Sequence, residues 1–274
     1  MTATTPATTP ATTPPVAWRG SGAATQIFVL TARSLRAVAL DPRLVVASLL
    51  GPLLMLLIFS QIFASVAAAP GFPDVRYIDF LVPAILVTTA VQAGFTTAVG
   101  LTQEMSGGIV ARLRTLPVRP VSVLVARSLA DLARNGLQLL VVMAAAVALF
   151  GFRPAAGVAG ALAAWALALA VGGCLGWIFI ALACWMRSAE LMQAVAGVAT
   201  FPLIFASNAF VPVSALPDWL RLVSLANPVT YGIEAARGLT FGEPAGTAAL
   251  TAVAISLLVT VTAACAAVHG FRRR

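Results

Sequence analysis

Six long stretches of this chain carry no charged side chain at all: 44–66, 80–102, 135–152, 157–186, 191–213 and 246–268. A helix needs about 20 residues to cross a hydrocarbon core of about 30 Å, so these stretches read as transmembrane helices. Strands of a membrane barrel would alternate polar and apolar residues, and these runs do not. A soluble fold is excluded on the same grounds. The hydrophobic fraction is 60%, charged residues are 9% and the mean hydropathy is +0.98, against roughly 45–50% apolar and 25% charged in soluble domains. The sequence therefore predicts an all-α integral membrane protein of six spans. The third stretch is the shortest, so its helix starts at 135 or earlier, with Asp131 and Arg134 at its mouth, and the fourth is overlong, predicting a tilt or a bend at Gly172, Gly173 and Gly176.

Charge placement orients the spans. The formal net charge is +8 and all 17 basic residues are arginines, set in short blocks between the apolar runs. Arg19, Arg33, Arg36 and Arg43, then Arg112, Arg114, Arg119, Arg127 and Arg134, then Arg187 and finally Arg272, Arg273 and Arg274 fall on one side. Only Arg76, Arg153, Arg221 and Arg237 fall on the other. Cytoplasmic connections retain positive charge, so both termini are expected in the cytoplasm. A nucleic-acid surface would gather its basic residues along one polar face, so no nucleic-acid partner is expected. The absence of lysine removes the phosphate-binding residue of a Walker A loop and the amine of a Schiff-base enzyme.

Residues 1–22 hold Ala-Thr-Thr-Pro three times, ending at Pro6, Pro10 and Pro14, a composition expected to be disordered. It lacks the basic start and apolar run of a signal peptide. From Ala23 to Asp41, Phe28, Thr31, Leu35 and Val38 recur at helical spacing while Arg33 and Arg36 point elsewhere. This fits a helix in the membrane interface or a cytosolic extension of the first span. Cys174, Cys184 and Cys265 lie in apolar runs without a CxxC spacing and read as small core residues; His269 is the sole histidine.

Between the second and third stretches, Met105, Ile109, Leu113 and Leu116 form an apolar stripe, Pro117 ends the helix, and Arg112, Arg114 and Arg119 offer charge to the cytosol. Such a helix suits the receipt of force from a partner protein; a plain basic loop is the other reading. Residues 214–240 are apolar yet interrupted by Pro217, Pro228 and Gly232, just after Pro212. Broken helices are tolerated in membranes where protein or water satisfies the freed backbone, which suits a pathway lining. Glu234 and Arg237, one turn apart, are either an internal ion pair of an outer gate or charges at the headgroups. Trp219 suits an interfacial anchor.

The run Gly108-Ile-Val-Ala-Arg-Leu-Arg-Thr-Leu-Pro-Val-Arg119, followed by Val123-Leu-Val-Ala-Arg127 and Asp131, resembles type-2 ABC exporter permeases of the daunorubicin-resistance kind. Tyr77-Ile-Asp-Phe-Leu-Val-Pro83 and Phe205-Ala-Ser-Asn-Ala-Phe-Val-Pro212 agree, as do Leu216-Pro-Asp-Trp-Leu220, Asn227-Pro-Val-Thr230 and Glu234-Ala-Ala-Arg-Gly238. The resemblance spans roughly residues 25 to 270 in order. It implies that residues 23–274 form one transmembrane domain: an interfacial helix at 23–41, a coupling helix at 104–116 and re-entrant helices over 214–240. It further implies two ATPase subunits, which bind the ATP and magnesium, and a second permease, either another copy or a homologue. The residues expected to couple to the ATPase are Glu104, Gly108, Arg112, Leu113, Arg114, Pro117 and Arg119. Those expected at the outer gate are Asn208, Pro212, Pro217, Trp219, Asn227, Pro228, Glu234 and Arg237. The Thr-Pro tail has no counterpart in this resemblance.

Polar uncharged residues within the spans suit an amphiphilic drug or lipid-like cargo better than an ion or sugar. Gln92, Thr96, Gln193, Phe201 and Phe205 are the residues expected along its path; interhelical hydrogen bonding is the other reading of the polar ones. An antibiotic, an incoming toxin or an envelope lipid would each fit. An ion-driven secondary exporter would need carboxylates inside the spans, and the six stretches contain none. An intramembrane enzyme would need a catalytic constellation, for which His269 alone, beside the terminal arginines, is insufficient. The chain is expected to be a plasma-membrane permease and not itself an enzyme.

Overall fold

The computed structural model describes residues 42–63, 75–106, 120–186, 188–243 and 246–273, together with four isolated helical positions, Thr25, Phe28, Val29 and Ala32. Among the described residues there are eight α-helices: α1 (Pro42–Ile62), α2 (Tyr77–Ser106), α3 (Pro120–Phe150), α4 (Gly157–Trp185), α5 (Ala189–Phe205), α6 (Asp218–Ala226), α7 (Pro228–Phe241) and α8 (Gly246–Arg273). The rest of the expected interfacial helix, the tail, and residues 107–119 of the coupling segment lie outside the described residues.

Four apolar segments, Tyr77–Met105, Val125–Phe150, Gly157–Trp185 and Ala249–Gly270, are long enough to cross a membrane. The first and fifth expected spans are shorter apolar helices, Val46–Ile62 and Ala189–Phe205. Two boundaries differ from those of the charge-free stretches. The third helix begins at Pro120, earlier than 135; Arg127, Asp131 and Arg134 pair with one another and Arg127 with Glu104 of α2, so these charges are carried on the helix and not in a loop. The stretch 191–213 is not one helix; α5 stops at Phe205. Pro202 withdraws an N–H in its last turn, and residues 206–212 run on as turns and bends before a short 3-10 turn, Val213–Ala215.

α2 is the axis of the bundle. Every residue from Tyr77 to Val91 except Ile78 is buried, and 72% of its most apolar window lies inside the protein, against 17% for α8. With so little of α8 covered by protein, most of its apolar side chains face the surrounding lipid. Cys265 is among the exposed ones, contrary to the core role expected of it, whereas Cys184 is buried.

The seam between α2 and α4 is made by residues lacking side chains. A Cβ on Gly94 would lie 2.5 Å from the Cα of Gly176, and one on Gly172 would lie 2.3 Å from the Cβ of Ala90. α4 runs unbroken through Gly172, Gly173 and Gly176; Gly172 and Gly176 serve close approach to the backbone of α2, the usual means of packing helices where lipid supplies no hydrophobic drive, while Gly173 faces the Leu132 side chain of α3.

The break between α6 and α7 is a local necessity. Pro228 has no N–H and takes the first helical position of α7, and the Asn227 side chain accepts a hydrogen bond from Val229 N at 3.0 Å. α7 ends at Gly242, whose φ of 80° is the left-handed conformation of a helix C-terminus.

Candidate functional site

Three groups of side chains are spaced along α2, at residues 80, 92 and 104. At 1.5 Å per residue they are about 18 Å apart, spanning about 36 Å.

The first lies where the sequence motifs of three distant segments meet. Arg237 of α7 is buried; its Nε donates to the carbonyl of Phe80 at 3.0 Å and its second guanidinium nitrogen to the carbonyl of Ala209 at 2.9 Å. Its guanidinium carbon lies 3.4 Å from the centre of the Phe80 ring. The Tyr77 hydroxyl donates to the carbonyl of Phe210 at 3.1 Å, so the non-helical stretch after α5 is held from both α2 and α7. That arrangement satisfies backbone freed by the end of α5. Asn208 Nδ2 donates to Glu234 Oε1 at 3.2 Å, and Asn227 Nδ2 donates to the carbonyl of Leu203 at 2.8 Å.

These contacts revise the expected Glu234–Arg237 pair. Among the described residues each has a different partner: Glu234 bonds Asn208, and Arg237 bonds backbone carbonyls. Arg237 is not a headgroup charge, while Glu234 is exposed. Pro212 precedes the 3-10 turn and Pro217 precedes α6. Trp219 is 69% exposed on α6 beside Leu222 at 70%, a one-sided apolar face suited to an interface. Phe80, Tyr77 and Phe210 were not singled out from sequence, although each stands inside a motif that was.

The second group is a groove of ≈ 210 Å³ between α2 and α5, lined by Gln92, Phe95, Gly197, Thr200, Phe201, Ile204 and Phe205. Phe201 and Phe205 stack at 4.5 Å, and Phe205 continues to Phe210 at 5.3 Å. The Thr200 hydroxyl is buried without a hydrogen-bond partner among the described residues. Aromatic walls with an amide and a free hydroxyl are what an amphiphilic molecule needs. Three of the five expected path residues, Gln92, Phe201 and Phe205, are brought together here. Thr96 is exposed on α2 and bonds the carbonyl of Ala93 at 2.8 Å. Gln193 is exposed on α5, one turn before Gly197 and outside the groove. Phe95 and Thr200 were missed, although the helical spacing of Gln92 and Thr96 around Phe95 could have found the former.

The third group closes the far end of α2. Arg127 of α3 pairs with Glu104 of α2 and donates through Nε to Asp131 Oδ2 at 3.0 Å; Arg134 reaches Asp131 Oδ1 at 3.3 Å. Gly100 makes room for this, since a Cβ there would lie 2.7 Å from a terminal nitrogen of Arg127. The chain leaves α2 at Ser106 and re-enters α3 at Pro120, so the pair ties the two ends of the intervening segment. Glu104, expected to meet the ATPase, is held within the chain. Partly exposed ion pairs contribute about 0–1 kcal/mol, so this network serves geometry more than stability. Gly108, Arg112, Leu113, Arg114, Pro117 and Arg119 lie outside the described residues.

The chain is similar to the daunorubicin resistance ABC transporter permease protein DrrB1 of Streptomyces coeruleorubidus, 29% identical over 193 residues; these are 70% of this chain and 66% of that relative, just under two thirds. The probable doxorubicin resistance permease DrrC of Mycobacterium tuberculosis is 29% identical over 241 residues, 84% of both chains. A putative transport permease, ycf38, of Cyanophora paradoxa is 27% identical over 215 residues, 78% of this chain and 73% of that one. The ABC-2 type transporter signature matches residues 25–241, which takes in the Arg237 junction, the aromatic groove and the Glu104 network. With that match and its long apolar helices, the chain belongs to the ABC-2 type transporter family and is the multi-pass membrane permease of an ABC transporter.

Proposed function

We propose that this permease is the membrane half of an exporter that moves an amphiphilic drug, antibiotic or lipid-like compound out of the cell. ATP hydrolysed by two copies of a separate subunit drives it, and a second permease, identical or homologous, completes the pathway. The observation that carries this reading is the layout of α2. One long helix has an ion network beside the 107–119 segment at one end, an aromatic groove at its middle and the Arg237 junction at the other. Force applied at the 107–119 segment would reach the junction through a helix packed on nearly every side. Arg112, Arg114 and Arg119 in that segment would face the ATPase; ATP and magnesium are bound there and not by this chain. The arginine distribution supports both termini lying in the cytoplasm, with the chain in a bacterial plasma membrane.

The resistance functions in the names of two relatives favour a drug-like cargo, and the groove's aromatic lining agrees. An ion-driven mechanism is disfavoured because three carboxylates carried on α2 and α3 already have cations: Asp79 has Arg76, Glu104 has Arg127, and Asp131 has both Arg127 and Arg134. The test is purification of the tagged chain from its own host in mild detergent, mass spectrometry of what stays bound, and an ATPase assay. A Walker-motif ATPase that is lost from the complex on joint replacement of Arg112 and Arg114 is the expected result. Transport by the chain without any ATPase would overturn the reading.

A further inference from the structure

A second polar feature lies inside the bundle, away from the groove, where α2, α3 and α4 meet. Ser128, Asp131 and Asn135 project from one face of α3 at steps of three and four residues, and Thr97 of α2 faces them across a half-open cavity of ≈ 30 Å³. Asn135 is 3% exposed. Its Nδ2 makes one long bond, 3.5 Å, to the carbonyl of Ala90, and its Oδ1 has no partner among the described residues. A buried carbonyl left unpaired costs about 1–3 kcal/mol.

We infer that this cavity is a structural water site, holding about two ordered waters hydrogen-bonded to Asn135 Oδ1, the Ser128 hydroxyl, the Asp131 carboxylate and the free lone pairs of Thr97. A cavity needs about 10–15 Å³ for each water, and each water needs two to four polar partners; the space and the donor set meet both conditions. Thr97 already donates to the carbonyl of Ala93 at 3.0 Å, so it serves as an acceptor. A metal or alkali cation is disfavoured. The one carboxylate present is already bonded by Arg127 and Arg134, and a cation would sit beside two guanidinium groups with no net negative charge to hold it.

The glycines of α4 create the space. A Cβ on Gly173 would meet Leu132 at 2.7 Å, so any side chain there would drive Leu132 toward the waters. The seam glycines Gly94, Gly172 and Gly176 line the same cavity, so the close backbone approach of α2 and α4 forms one wall of the water site and α3 supplies most of its polar groups. Mobile hydrogen bonds let α3 shift against its neighbours without stranding a polar group. The inference stands on the cavity alone, independent of cargo, partner or direction of transport.

Radiolytic hydroxyl-radical footprinting of the full chain in lipid nanodiscs tests it, because bound water generates radicals in place. Ile180 lines the cavity and is 4% exposed, and Ile85, of the same chemistry and 1% exposed, lies outside it. The expected result is oxidation of Ile180 several-fold faster than Ile85, falling to the Ile85 rate in Asn135→Leu. Equal rates at the two isoleucines in the native chain overturn the site. So does a higher melting temperature for Asn135→Leu, which would mean that an unpaired carbonyl in a dry cavity had been removed. If that variant does not fold, the comparison of Ile180 with Ile85 decides alone.

Discussion

Arg237 meets Phe80 twice: its guanidinium carbon lies 3.4 Å from the centre of the ring, and its Nε bonds the carbonyl of the same residue at 3.0 Å. The side chain thereby clamps both the backbone and the ring of one residue, and its other nitrogen secures Ala209. Arg237→Met should lower stability by about 2–6 kcal/mol, since two carbonyls lose their donors at about 1–3 kcal/mol each. Arg237→Lys should recover only part of this, because an ammonium lacks the flat fork that stacks and bonds together. Phe80→Leu should cost less on the cation's account, about 0.5–2 kcal/mol. Thermal unfolding in nanodiscs ranks the three; Arg237→Lys matching the native chain would show that the fork is dispensable.

Glu104 and Arg127 lend themselves to a double-mutant cycle. If the pair transmits movement of the 107–119 segment, Glu104→Gln and Arg127→Gln should each reduce the ATPase rate of the reconstituted complex by about fivefold. The double variant should fall by about the same factor as Arg127→Gln alone, since once Arg127 is gone the loss of Glu104 removes no further ion pair among the described residues. A twenty-five-fold loss would mean that the two residues act independently. Melting temperature should move little in either case, as partly exposed pairs contribute about 0–1 kcal/mol.

These two relationships show where sequence reading succeeded and where it stopped. Charge-free runs located all six apolar helices, because apolar surface has to be hidden from water whatever it packs against. They left the start of α3 open, at 135 or earlier, because Arg127, Asp131 and Arg134 look like loop residues until their partners are known. They overran α5 because Ala206 to Pro212 is as apolar as a helix, and its non-helical path depends on donors from Arg237 and Tyr77 far away in the chain. At the candidate site, the motif residues were legible as segments, but their convergence was not. The i, i+3 spacing of Glu234 and Arg237 suggested a pair, and longer-range partners claimed both ends.

The α2–α4 seam gives a contrast between glycines. Gly172→Ala should prevent normal packing, since its Cβ would fall 2.3 Å from the Cβ of Ala90 and 2.6 Å from its backbone. Gly197→Ala on α5 meets nothing within 4 Å and should be neutral or stabilising by about 0.5–1 kcal/mol, the usual gain of alanine over glycine in a helix. Fluorescence size-exclusion after heating separates them. Equal tolerance at both positions would mean that the two backbones need not approach so closely.

The groove predicts selectivity. Phe201→Ala removes one of its stacked rings, and Gln92→Ala removes its amide, both from exposed positions where the fold loses little. Each should change which compounds stimulate ATP hydrolysis by about tenfold, within the 1–3 kcal/mol that single pocket contacts contribute to discrimination. The Gln193→Ala variant, outside the groove, should leave the profile unchanged. A shift at Gln193 of equal size would place the path elsewhere on α5.

The glycine seam also sets a timetable for making the protein. Gly94 and its counterpart Gly176 are about 80 residues apart, and ribosomes add about 5–20 residues per second, so α2 waits some 4–16 seconds before α4 has been synthesised. During that interval the bare backbone face of α2 has neither side chains to cover it nor its native neighbour. The newborn chain must be sheltered by lipid or by the insertion machinery, and the same absence of Cβ atoms that lets two mature helices touch makes this protein's biogenesis dependent on that escort.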